Sequence, residues 1–377
     1  MHLNTHINKS LKAQFSNVPN MSVDTIRTIK LLGKWTGNRI IGRRRPLIAV
    51  FSLTNYCNFY CPMCPFGDSD KQAQLQLAKN KDLTLEQWKK VFDNVSKYCM
   101  WSIIEGGEPT SRSDFFQLVK HLYSLKLPVT LITNCSLLHL INLDELKRYI
   151  KFVVCSIDSV FEEPYCKVRG VPPWIYDKVI GNLHLLAEKK VPHYFNSVIT
   201  KYNAEEFINQ SYFDRTKELD VNAVSFTFVE DRSDVQFSLL PDKKTMVKVC
   251  ESILDYGRKH NRPHIIIPTE YFRQIIENGY ATFDECGVWK SLFVNSDGSV
   301  LVPCWKYKKP ENIYNLLENS IDEIWSSPQW TIAKTCHDCK VLGCIWYSSQ
   351  PISTFAHNYI HGLSKIINEK SSEFQVD

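Results

Sequence analysis

Cys57, Cys61 and Cys64 fall within one short stretch, "TNYCNFYCPMCPF" (Thr54 to Phe66), in the spacing C-x3-C-x2-C. Thiolates are soft ligands that suit zinc or an iron–sulfur cluster, and a closed site takes four of them. Three thiolates leave one iron of a cubane cluster without a protein ligand. An open coordination position is an active-site property, as in catalytic zinc sites that keep one place for substrate.

A second group of cysteines, Cys286, Cys304, Cys336, Cys339 and Cys344, lies far downstream. Seventeen residues separate Cys286 from Cys304, and "LFVNSDGSVLVPC" between them carries a hairpin turn signal at Ser296 to Gly298. Cys336 and Cys339 form C-x2-C, with Cys344 five positions later. Two hairpin-borne cysteines and a C-x2-C suit an auxiliary cluster or a structural zinc ribbon. The remaining five, Cys99, Cys135, Cys155, Cys166 and Cys250, are scattered and read as buried small hydrophobes.

The elements that must position the first triad alternate along the chain. Strand-like apolar runs are expected at Leu47 to Leu53, Trp101 to Glu105, Val129 to Thr133, Phe152 to Ile157, Tyr194 to Ile199 and Ala223 to Val229. Amphipathic helices are expected from Thr84, where Thr84 and Gln87 resemble a capping box, and over Phe115 to Leu125, Leu143 to Tyr149, Ile175 to Glu188, Ala204 to Leu219 and Lys243 to His260. Six strands alternating with helices imply right-handed crossovers and a parallel sheet, open or closing toward a barrel. The site then lies at the C-terminal strand ends, so the triad after strand one and "GGEP" (Gly106 to Pro109) after strand two share a rim.

Taken together and in order, "CNFYCPMC", "EGGEP", "TNC" (Thr133 to Cys135), "SID" (Ser156 to Asp158) and "CKVRG" (Cys166 to Gly170) resemble the radical S-adenosylmethionine (SAM) enzymes over roughly residues 47 to 260. The resemblance implies an α/β fold, a partial (β/α)6 TIM-like barrel, with a small C-terminal cysteine-rich domain. It implies a [4Fe–4S] cluster on Cys57, Cys61 and Cys64 whose free iron is chelated by SAM, and a 5′-deoxyadenosyl radical that takes hydrogen from a substrate. Gly106, Gly107, Glu108 and Pro109 would meet the methionine moiety, where glycines allow close approach of backbone. Ser156, Asp158, Asn134 and Arg169 would hold the rest of SAM, Arg169 by paired donors to its carboxylate. Met63 stands where the family has an aromatic residue against adenine, and Cys135 where it has glycine.

The downstream cysteines, with "ENSIDEIWSSPQW" (Glu318 to Trp330), resemble the SPASM-type module in its reduced, twitch form. That likeness implies an auxiliary [4Fe–4S] cluster on Cys286, Cys304, Cys336 and Cys339, with Cys344 as alternate. The expected organisation is a basic segment 1–46, a core 47–265, an auxiliary cluster domain 266–349 and a polar tail 350–377. A fully ligated auxiliary cluster suits electron transfer, so the leading expectation is an oxidoreductase acting on a small polyol, sugar or aminocyclitol. Maturation of a ribosomally made peptide, or modification of a membrane-surface lipid or glycolipid, are the alternatives; 46 residues ahead of the core leave little room for a leader-recognition domain.

Composition sets the outer bounds. Of 377 residues, 44% are hydrophobic and 23% charged, as in ordinary globular proteins. Residues 1–46 carry nine Lys or Arg against Asp24 alone, so their +8 outweighs the net +5 of the whole. Such a leader reads as a solvated flank or as a contact to an anionic membrane surface. No apolar run of about 18 residues and no secretory h-region is present, which points to the cytoplasm and to thiols used for metals rather than disulfides. A flavodoxin- or ferredoxin-type reductant is the expected partner, with no nucleic acid.

Overall fold

In the computed structural model the described residues are 33, 46–64, 71–230, 239–267, 269–281, 286–304, 311 and 313–335. The basic leader (Gly33 and Pro46 aside), the polar tail and Cys336, Cys339 and Cys344 lie outside them. The chain divides into two units, Met1–Arg45 and Pro46–Asp377, and both cysteine groups belong to the second.

In chain order the elements are β1 (Ile48–Ser52), α1 (Lys71–Lys81), α2 (Leu85–Val95), β2 (Trp101–Glu105), α3 (Phe115–Ser124), β3 (Val129–Thr133), α4 (Leu143–Tyr149), β4 (Phe152–Ser156), α5 (Glu162–Arg169) and α6 (Pro173–Glu188). They continue with β5 (His193–Ile199), α7 (Ala204–Ile208), α8 (Ser211–Glu218), β6 (Ala223–Phe228), α9 (Lys243–Lys259), β7 (His264–Ile265), α10 (Thr269–Asn278), β8 (Ser291–Val294), β9 (Ser299–Leu301), β10 (Ile313–Asn315) and α11 (Ile321–Trp325).

All six expected strands form, in one sheet of eight ordered β7-β6-β5-β4-β3-β2-β1-β8 with every ladder parallel. Sequential order with right-handed crossovers puts the helices on one face and leaves the other as the inner face of a partial barrel. The helix-side core is aromatic. Phe51 of β1 packs edge-on to Trp88 and Phe92 of α2, and Phe226 of β6 meets Phe207, Tyr212 and Phe213 of α7 and α8. Because side chains alternate along a strand, Ser52 and Glu105, in register, face the inner side. Trp101 on that same phase stacks with Phe152 and donates to the Thr130 hydroxyl at 2.9 Å.

Local signals act as read where they are self-contained. Thr84 and Gln87 close a reciprocal capping box on α2, worth on the order of 1 kcal/mol. The long helix expected over 204–219 is instead two, α7 and α8, broken where Gln210 takes a left-handed φ of 64°. The Ser296–Gly298 turn forms with Gly298 at φ 80°, yet its flanking strands separate: β9 pairs antiparallel with β10, while β8 adds to the core sheet beside β1. No helix among the described residues is long and apolar enough to cross a membrane.

Candidate functional site

The triad loop leaves β1 and is fastened to the end of β2 chiefly by backbone, with the Arg112 guanidinium also donating to Leu53 O at 2.9 Å. Leu53 N–H donates to Glu105 O at 2.9 Å, Gly107 N–H to Thr54 O at 2.8 Å and Glu108 N–H to Tyr56 O at 2.8 Å. This approach explains both glycines. A Cβ on Gly106, whose φ is 125°, would stand 2.7 Å from Thr54 O, and one on Gly107 only 2.0 Å from Tyr56 O. On the side where a Cβ would stand, both glycines face the backbone of the cysteine loop. A third glycine does the same from the other side: Gly170 ends α5 at φ 62°, and a Cβ there would meet Tyr60 O at 2.4 Å. Short backbone approaches of this kind exclude every side chain.

Glu108 is wholly buried and turned inward. One carboxylate oxygen accepts from Thr110 N–H, the Thr110 hydroxyl and the Thr133 hydroxyl, and the other from Asn134 N–H at 2.8 Å. Its carboxylate is thus a strut between the ends of β2 and β3; burial raises its pKa and these four donors work against the rise. Pro109, also buried, starts the short turn after it. Asn134 donates to the Asn58 side chain at 2.8 Å and accepts from Ser136, and Asn58 donates back to the Ser136 hydroxyl at 2.9 Å. Asn58, between Cys57 and Cys61, therefore pins the triad loop to β3. Cys135 tolerates the glycine position by adopting φ 65° with a fully buried side chain.

None of the three thiols is in a disulfide; Cys57 and Cys61 are buried and Cys64 half-buried, next to half-buried Met63. Burial pushes the Cys61 thiol up to about 12, with the Arg169 guanidinium the chief opposing influence. Among the described residues no three His, Cys, Asp or Glu side chains converge as a single ion would require. An iron–sulfur cluster, in which each thiolate would sit on a different iron, asks for soft thiolate donors. The donor set, three soft thiols in a loop held open by glycine contacts, suits the group.

Arg169, at the end of α5, pairs through Nε with Asp158 Oδ2 at 2.7 Å and brings Nη1 to 4.0 Å from Cys61 Sγ. Burial disfavours its charge, but Asp158 and its other neighbours outweigh that and keep it protonated. β4 ends at Ser156, so strand alternation does not carry on to Asp158. Asp158 is fully buried and accepts from Val198 N–H at 2.8 Å. Ser156 stays on the inner face, opposite Asn196 of β5, whose side chain accepts from Ser225 of β6 at 2.6 Å. Asn196, Ser225, Asn58 and Glu105 were not singled out in the sequence. The polar phase of "HYFNSVI" marks Asn196, but only strand register reveals its neighbours.

Cys286 is buried and Cys304 half-buried, neither in a disulfide, and their expected partners Cys336, Cys339 and Cys344 lie outside the described residues. Cys99, Cys135, Cys155 and Cys250 are fully buried as expected, whereas Cys166 is half-buried.

Residues 51–209 match the model of the radical SAM superfamily, and residues 286–344 that of an iron–sulfur cluster-binding domain, SPASM. The chain is 27% identical over 325 residues to the 7,8-dihydro-6-hydroxymethylpterin dimethyltransferase of Methanocaldococcus jannaschii, covering 79% of this chain and 59% of that protein. It is 23% identical to the antilisterial bacteriocin subtilosin biosynthesis protein AlbA of Bacillus subtilis, over 75% of this chain and 60% of that one. The chain thus spans about three-fifths of the length of these relatives. Among solved structures, Streptococcus suis SuiB bound to S-adenosylmethionine superposes with a TM-score of 0.64 at 17% identity, covering 89% of this chain and 79% of that one. The same protein bound to its precursor peptide SuiA gives 0.62 at 18% identity, over 88% and 78%. By these matches residues 51–209 form a domain of the radical SAM superfamily and residues 286–344 a C-terminal SPASM module, a domain that binds an iron–sulfur cluster.

Proposed function

We propose that the chain matures a ribosomally made peptide, with Cys57, Cys61 and Cys64 holding the SAM-binding cluster and Cys286, Cys304, Cys336 and Cys339 an auxiliary one. This reading displaces the expected polyol or sugar substrate. The observation that carries it is the breadth of the likeness: the fold of a protein solved with its precursor peptide matches 88% of this chain, both domains included. The relation to a bacteriocin biosynthesis protein over 75% of the chain supports it.

Bound together, the cluster and SAM supply a hydrogen-abstracting radical. The chain's own residues frame that chemistry. Gly106 and Gly107 let the triad loop lie against β2, Glu108 and Asn58 fix its rear, and Arg169 holds positive charge beside Cys61. Ser156, Asn196 and Ser225 give the inner face a polar band for SAM or substrate.

The test begins with anaerobic reconstitution, which should give about eight irons per chain, and about four after Cys57, Cys61 and Cys64 are all replaced by alanine. Co-expression with any short peptide encoded beside this gene should yield a product lighter by paired hydrogens. Oxidation of a polyol by loaded enzyme that leaves every such peptide unchanged would sink the reading.

A further inference from the structure

Glu105 is the one carboxylate on the inner-face phase of strands β1 to β6, and nothing in the site described above uses it. It ends β2 opposite Ser52, half-buried, and its side chain meets neither a hydrogen-bond donor nor a cation among the described residues. The strands on either side, "IAVFS" and "VTLIT", carry no ionisable residue. Burial alone raises its pKa, to about 7, with no charged neighbour contributing. Elsewhere the core pairs its charges: Asp158 has Arg169, and Glu206 has the Ser159 hydroxyl at 2.6 Å and Val160 N–H. A desolvated carboxylate on the inner wall of the sheet, with neither donor nor cation against it, marks a binding position.

We propose that Glu105 is a substrate-specificity residue, the counter-charge for a cationic group that the substrate places on the inner face of the barrel. SAM is a weaker claimant. Three thiolates outweigh the charge of the resting cluster, and the net positive charge of SAM offsets that excess, which leaves Glu105 uncompensated. On the peptide reading, on which only the identity of the cation rests, the group is a lysine ammonium or an arginine guanidinium.

The test uses reconstituted holoenzyme labelled with 13C-glutamate, followed by difference infrared spectroscopy near about pH 6, where Glu105 is protonated when unpaired. The probes are n-butylamine and n-butylguanidine, with n-butanol as neutral control and SAM alone as the competing source. The cations should convert one protonated carboxyl band to carboxylate, butanol and SAM should not, and the band should be missing in Glu105→Gln. Affinity for the amine should fall about tenfold in Glu105→Gln and survive in Glu105→Asp. Ionisation of Glu105 by SAM alone, an unchanged band with amine, or equal amine affinity in Glu105→Gln would each overturn the proposal. Failure of the peptide reading shows differently, as amine binding without any peptide processed.

Discussion

The two cysteine-bearing regions are built on different principles. The triad loop is positioned chiefly by backbone, through three strand-end hydrogen bonds and three glycines with no room for a Cβ, with Asn58 adding a side-chain tie to β3. The auxiliary region is positioned by large side chains. Trp325 donates to Trp289 O at 3.2 Å, Trp330 to Ile324 O at 2.9 Å, and the two indoles lie 5.1 Å apart. A backbone-held site tolerates exchange of side chains that point away from the joint, which is how Met63 and Cys135 can stand where the family has other residues. A side-chain-held site has no such freedom, but it gives way locally.

The sharpest way to break this contrast is Gly107→Ala. With Tyr56 O only 2.0 Å from the new Cβ, the joint must open; we expect loss of more than ~4 kcal/mol and of the triad's iron, about four per chain, measured by denaturation and iron analysis. Retention of that iron would show that the backbone joint does not position the loop. Trp330→Ala should do the reverse, costing about 3 kcal/mol and emptying the auxiliary site while the triad stays loaded. Simultaneous loss of both would merge the two regions into one cooperative unit.

Smaller changes refine the comparison. Glu108→Gln sets an amide N–H₂ among groups that all donate, and should cost about 2 kcal/mol in the denaturant midpoint with iron content preserved. The mildest effect is on pH dependence. Glu105 has a folded pKa raised from 4.5 to about 7, so the folded state holds its proton more tightly than the unfolded chain. Its contribution is fully present below about 4.5 and is lost as pH rises through about 7. Thermal melts across that range should show apo-protein stability falling, and Glu105→Gln should flatten the part due to this residue. Glu206, also raised to about 7 chiefly by burial, keeps a slope in that variant. A wild-type profile that rises over the same interval would contradict both assignments.

What the sequence made legible was local or shared by a motif. The capping box of Thr84 and Gln87 needs only four residues, and the six strands of the core announce themselves as apolar runs. Illegible were relations between segments far apart. Nothing in "EGGEP" says that Tyr56 O lies against Gly107, nor does "SID" say that its Asp turns away from Ser156 to meet Arg169. The break at Gln210 escaped because helical periodicity runs through it unbroken. Only the backbone φ of 64° and the separate packing of α7 and α8 divide the segment.

The pairing of β8 with β1 bears on how the chain reaches its folded state. Ile48 finds its outer partner in Ser291, more than two hundred residues later, through a parallel ladder. Until that distant strand arrives, β1 presents one bare row of amide and carbonyl groups, the kind of open margin that recruits strands from other molecules. Loop closure over such a span is slow, and during synthesis the margin stays open while everything between is made. The SPASM-region strand therefore acts as the last stave of the barrel, and a chain shortened before Ser291 would leave the strand that launches the cysteine loop exposed to aggregation.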